Sequence, residues 1–125
     1  MMAHELFHYY RDKVGQLGDD MWHEELVANT LAVAYCALYE PEALSSGLGF
    51  AERVLARPEL ALSENAAQVL GDLLDPSRAA RPGTYGLPLQ QTAVVQLHLI
   101  RELACAPERL QIAMQRLLGV REAAA

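Results

Sequence analysis

His4-Glu5-Leu6-Phe7-His8 is an H-E-x-x-H run. On a helix its two histidines stand at i and i+4, with Cβ atoms about 5–6 Å apart on one face, so both imidazoles can hold one zinc ion. Glu5 falls beside the metal rather than on it, where a general base for a zinc-bound water is needed. A third ligand has to come from another element. Gly15-Gln16-Leu17-Gly18 reads as a turn, after which Asp19 or Asp20 can cap a new helix by accepting its free N–H groups. A short connection makes the two helices antiparallel neighbours. A turn centred between Gln16 and Leu17 sets Glu25 level with His8 and Asn29 level with His4. Glu25 then supplies an oxygen ligand and leaves a fourth tetrahedral position open for water. Asn29, one turn further along the same face, can accept the spare ring N–H of His4 and fix its tautomer. For His4, Glu5 and His8 taken alone, the competing reading is a solvated helix face.

His4-Glu5-x-x-His8 followed by Glu25-x-x-Ala28-Asn29-x-x-Ala32 resembles the gluzincin zinc metallopeptidases. The closest pattern is that of the small intracellular ImmA/IrrE-type branch, whose glutamate helix carries Glu-x-x-Ala-Asn-x-x-Ala. The resemblance implies His4, His8 and Glu25 as zinc ligands and Glu5 as the catalytic base. Asn29 falls where thermolysin-like members carry an aspartate that supports the first histidine. It covers residues 1–40, and no motif is recognised in residues 41–125. The family precedes its motif with a small β-sheet whose edge strand holds the extended substrate, whereas Met1-Met2-Ala3 alone stands before His4 here. The expectation is a chain lacking that upstream sheet, with a homo-oligomer or a partner covering the truncated N-terminal side.

Two function classes follow. The first is a zinc-dependent endopeptidase hydrolysing peptide bonds of an intracellular protein or peptide substrate, a regulator for instance, with zinc-bound water activated by Glu5. The second is a catalytically inactive, peptidase-derived interaction or regulatory domain with a structural or vestigial metal site. Gluzincins often stabilise the oxyanion with a distant His or Tyr, a role open to His98 and Tyr85, although a hydrogen-bonded core or boundary histidine is the default reading of His98. His23 can also reach metal, but it lies level with Tyr10 and reads better as a half-exposed imidazole near the start of its helix. Tyr9, Tyr10 and Tyr35 read as packing residues with a polar tip. Arg78 and Arg81 read as loop charges. Two imidazoles and one carboxylate suit zinc and accept other divalent ions as well.

Bulk properties set the frame for these residues. At 125 residues the chain fits one domain, 1–125, and its 52 % hydrophobic content, rich in Ala and Leu, argues for helices against disorder. A net charge of −6 and a pI near 5.1 disfavour binding to nucleic acid or to an anionic membrane. The sequence has neither an apolar run long enough to span a bilayer nor a signal-peptide pattern. Cys36 and Cys105 therefore read as free thiols packed as small hydrophobes in a reducing, cytoplasmic compartment, with a disulfide between them as the alternative.

The elements that position the site follow from periodicity and breakers. A first helix over residues 2–14 has Leu6, Phe7, Tyr10 and Val14 on its apolar side and Arg11, Asp12 and Lys13 toward solvent. A second, over 20–39, is apolar almost all round and belongs at the centre, where Glu25 and Asn29 need partners. Pro41 ends it, and Ser45-Ser46-Gly47-Leu48-Gly49 reads as a flexible connection to a short helix over 50–56. Ser63 caps a helix over 64–74 with Val69, Leu70, Leu73 and Leu74 inward. Residues 75–86, with two prolines and two glycines, read as a mobile surface loop. Helices over 88–104 and 107–118 each open on a proline, and Leu110, Met114 and Leu117 stripe the latter before Gly119 ends it; residues 121–125 should fray. The expected fold is an all-α bundle of about six helices. An antiparallel metal-site pair over 2–39 lies at its centre, and the helical remainder covers 41–118.

Overall fold

Val27, Ala28, Leu31, Ala32, Val33 and Ala34 are consecutive or nearly so, and each is at most 2 % exposed. A helix buried on every side has to be surrounded. The computed structural model describes residues 2–13, 21–75, 77 and 86–119. Among them α1 spans Met2–Lys13, α2 Met21–Tyr39, α3 Pro41–Leu55, α4 Glu64–Leu74, α5 Leu89–Cys105 and α6 Leu110–Leu118, with a 3-10 turn at Pro58–Leu60 and no strand. The all-α bundle is thus the fold observed. Helix α2 packs against α1, α3, α4, α5 and α6, and α5 packs in turn against α3 and α4. No described helix is long and apolar enough to cross a membrane.

Two clusters hold this arrangement. Phe7, Val27, Leu31, Ala34, Ala113 and Leu118 lock α1 and α6 onto α2. Trp22, Ala66, Val69, Leu70, Leu73, Val95 and Leu99 lock the start of α2 onto α4 and α5. Contacts in opposite order along the two helices, His4 with Asn29, His8 with Glu25 and Arg11 with Glu24, show that α1 and α2 run antiparallel. Val14, the turn at Gly15 to Gly18 and the caps Asp19 and Asp20 lie outside the described residues, as do Arg78, Arg81, Tyr85 and residues 121–125.

The local signals act where expected at two helix ends. The Ala66 N–H donates to Ser63 Oγ at 3.2 Å, capping α4. Gly119 takes a left-handed φ of 67° and its N–H closes α6 on the Met114 carbonyl.

Elsewhere the structure departs from expectation. Residues 45–49 are not a connection; they lie inside α3, which begins directly at Pro41. Leu44, Leu48, Ala51 and Leu55 repeat at helical spacing and face the bundle, and that stripe outweighs the poor helix propensity of Gly47 and Gly49. Helix α6 begins at Leu110 instead of Pro107, with Arg109 extended ahead of it and the Glu108 carboxylate paired with Arg116. Leu74 is exposed, since it stands about 100° round from the inward Leu73 on the helix. Cys105, too, is exposed at the end of α5, whereas Cys36 is buried; both are free thiols.

Candidate metal centre

Helix α1 meets α2 through His4, Phe7, His8 and Arg11, a face at i, i+3, i+4 and i+7. This reverses part of the expected polarity. Leu6 and Tyr10 are exposed, and Arg11, expected in solvent, is only 7 % exposed. Arg11 is buried because α2 supplies a carboxylate for it: its Nε donates to Glu24 Oε1 at 2.6 Å, and Nη2 lies 2.5 Å from the same oxygen. A guanidinium with its fork filled in this way tolerates burial that a lone charge would not.

The two histidines turn their Nε2 atoms inward. His4 Nε2 lies 3.1 Å from Glu25 Oε2, His8 Nε2 lies 3.1 Å from Glu25 Oε1, and the two Nε2 atoms are 2.9 Å apart. The rings meet edge to face with centroids 4.5 Å apart. Four ligands of a tetrahedral zinc at about 2.0–2.1 Å would stand about 3.3 Å from one another. The two Nε2 atoms, at 2.9 Å, are close to that spacing, and each meets a different oxygen of the Glu25 carboxylate at 3.1 Å. His4, His8 and Glu25 also form the group of potential metal ligands found among the described residues.

The partners of the outward nitrogens decide which atoms the cluster turns inward. His4 Nδ1 donates to Asn29 Oδ1 at 2.8 Å. Asn29 Nδ2 donates to Gln96 Oε1 at 2.7 Å, and Gln96 Nε2 donates to Glu25 Oε2 at 2.9 Å. These bonds run in one direction from His4 to Glu25, whose ionised carboxylate only accepts, so each amide has a single orientation and the proton of neutral His4 sits on Nδ1. Lone pairs of His4, His8 and Glu25 therefore converge, and only a shared proton or a metal ion can relieve them. Metal-free, a proton does so. The hydrogen-bonded Glu25 carboxylate holds the His4 imidazole above its ordinary value against the lowering effect of burial, and Asn29 adds to the rise. Burial alone would raise Glu25, but the hydrogen bond and charge of His4, the charge of His8 and the Gln96 amide together bring it below the ordinary carboxylate value.

Glu5 is exposed and lines an open cleft of about 270 Å³ with His4, Glu25, Asn29, Gln96 and Ile100. It therefore faces the same opening as the cluster. His23 lines a different cavity, with Thr30, Leu73 and Leu103. His98 is half-buried, has its Nδ1 3.0 Å from Arg101 Nη2, and is held below the ordinary imidazole value by burial and by that charge. Tyr35 packs against Tyr39, and Tyr9 is exposed. Sequence reasoning missed Gln96, Glu24 and the burial of Arg11. The available signal for Gln96 was a lone amide in Val94-Val95-Gln96-Leu97, and for Glu24 its place beside a candidate ligand. No family model matches the chain, and no curated protein or solved structure matches it.

Proposed function

We propose that the chain is a zinc-dependent peptidase acting on a protein or peptide substrate. The observation that carries this reading is the convergence of His4, His8 and Glu25 on one point, with Glu5 on the open side of the same cleft. The donor set, two imidazole nitrogens and one carboxylate, suits zinc and leaves a coordination position free. When bound, zinc supplies Lewis acidity that polarises a peptide carbonyl and acidifies water. Glu5 takes a proton from the attacking water and returns it to the leaving amine. Asn29 and Gln96 keep His4 and Glu25 aimed inward, which removes the need to reorganise them during the reaction. The gluzincin-like spacing of these residues agrees with this division of roles.

The test uses the zinc-loaded chain and an unstructured polypeptide, with and without chelator. Chelator-sensitive cleavage that disappears in Glu5→Gln, while stoichiometric zinc is retained, supports the reading; cleavage that survives Glu5→Gln sinks the assigned base. A second reading, a non-catalytic interaction domain with a structural metal site, is favoured by the large apolar side chains that α1 leaves exposed, Leu6 and Tyr9. Stoichiometric zinc with no chelator-sensitive cleavage would select it.

A further inference from the structure

The two histidines rest on outward partners of different kinds. His4 Nδ1 meets a neutral amide oxygen of Asn29. His8 Nδ1 instead faces Glu24 Oε2 at 3.4 Å. Glu24 is only 5 % exposed, and its Oε2 is buried with no hydrogen-bond partner among the described residues. The other oxygen, Oε1, is taken up by Arg11. Arg11 Nη1 donates in turn to the Leu117 carbonyl in the last turn of α6, at 3.2 Å. A buried carboxylate oxygen left without a donor is costly and calls for a group that can fill it. The nitrogen aimed at it belongs to a proposed metal ligand.

We propose that Glu24 is the positioning residue for His8, receiving the Nδ1 proton that the ring must carry once Nε2 serves as a ligand. A neutral imidazole has one proton; committing the Nε2 lone pair to a cation puts that proton on Nδ1. Glu24 Oε2 accepts it there, and the bond sets the ring plane and aims Nε2 at the cluster. Arg11 pins Glu24 so that Oε2, and not Oε1, faces the ring, and its anchor on Leu117 ties α6 to the geometry of the site. The proposal rests on reading His4, His8 and Glu25 as metal ligands.

Glu24→Gln tests it sharply. Arg11 needs an acceptor, so the amide oxygen turns to Arg11 and the amide NH2 turns to His8 Nδ1. That forces the His8 proton onto Nε2, where it blocks the metal. Zinc affinity, measured by competition with a chromogenic chelator, should fall about 10- to 100-fold. Long-range ¹H–¹⁵N correlation of the imidazoles should show His8 as Nδ1–H in the metal-free wild type and as Nε2–H in the metal-free variant, with His4 keeping its proton on Nδ1 in both. Arg11→Met/Glu24→Leu removes the ion pair whole and supplies the test if Glu24→Gln does not fold; the same loss of affinity is expected. A wild-type chain that binds no zinc overturns the metal reading itself. Zinc bound equally well, within twofold, by wild type and variant, with the His8 proton unmoved, overturns the role of Glu24 alone.

Discussion

Asn29 and Gln96 join amide to amide across the α2–α5 interface at 2.7 Å. Through that bond a helix that contributes no ligand holds two members of the cluster, because Gln96 also donates to Glu25. Gln96→Ala removes an acceptor from Asn29 and a donor from Glu25 at once. Zinc affinity is expected to drop about tenfold, in line with losses at groups that support metal ligands. The metal-free chain should lose about 1–2 kcal/mol, the cost of hydrogen bonds broken in a half-buried site. Chelator competition and urea unfolding measure the two effects, and a wild-type affinity in this variant would remove α5 from the site.

Stability of the metal-free chain should depend on pH in both directions. His4 is raised in the folded chain, so its contribution is complete below the unfolded value near pH ~6.5 and is lost as pH rises through the folded value. Glu25 is lowered, so its contribution is complete above its unfolded value near pH ~4.3 and is lost as pH falls through the folded one. Urea midpoints should therefore peak in the weakly acidic range. Zinc competes with the His4 proton, so its affinity should climb with pH and saturating zinc should erase the alkaline decline. Midpoints that keep rising above neutrality without metal would contradict the His4 assignment.

Metal that binds the folded chain alone stabilises it by mass action. At a free zinc concentration of 100 Kd the gain is about 2.7 kcal/mol. Differential scanning calorimetry should show a zinc-dependent rise in Tm for the wild type and for Glu5→Gln, since Glu5 only lines the cleft. His4→Ala/His8→Ala should show none. An equal rise in the double variant would place the zinc elsewhere.

Two glycines should respond in opposite ways to the same substitution. Gly47 lies inside α3, and a Cβ there would meet nothing within 4 Å, so Gly47→Ala should stabilise the chain by roughly 0.5–1 kcal/mol through helix propensity. Gly119 has a left-handed φ of 67°, so Gly119→Ala should cost about 1–2 kcal/mol although the space around it is open. Thermal unfolding of the two variants is the measurement, and destabilisation by Gly47→Ala would mean that the 45–49 stretch is not helical in solution.

Much of the site was legible because its parts are close in sequence. The spacing of His4 and His8 follows from one helical turn. The levels of Glu25 and Asn29 follow from a short connection, which leaves two helices little freedom of register. The serine cap at Ser63 and the glycine stop at Gly119 are likewise local chemistry, set by which side chains can satisfy or escape a helix end. α3 was misjudged because glycine and serine signal a turn only when no apolar stripe competes with them, and here Leu44, Leu48 and Ala51 do.

The tertiary structure alone decided which face of α1 is buried and what reaches the cluster from afar. Leu6 and Tyr10 look inward by hydropathy yet stay exposed, while Arg11 goes under because Glu24 waits for it on another helix. Gln96 enters from α5 through a rotation of that helix that the whole core imposes, with Val95 and Leu99 packed against Trp22 and α4. Spacing along a chain carries the chemistry within one or two helical turns. The pairing of buried polar groups between helices is settled only when all of their apolar faces are satisfied together.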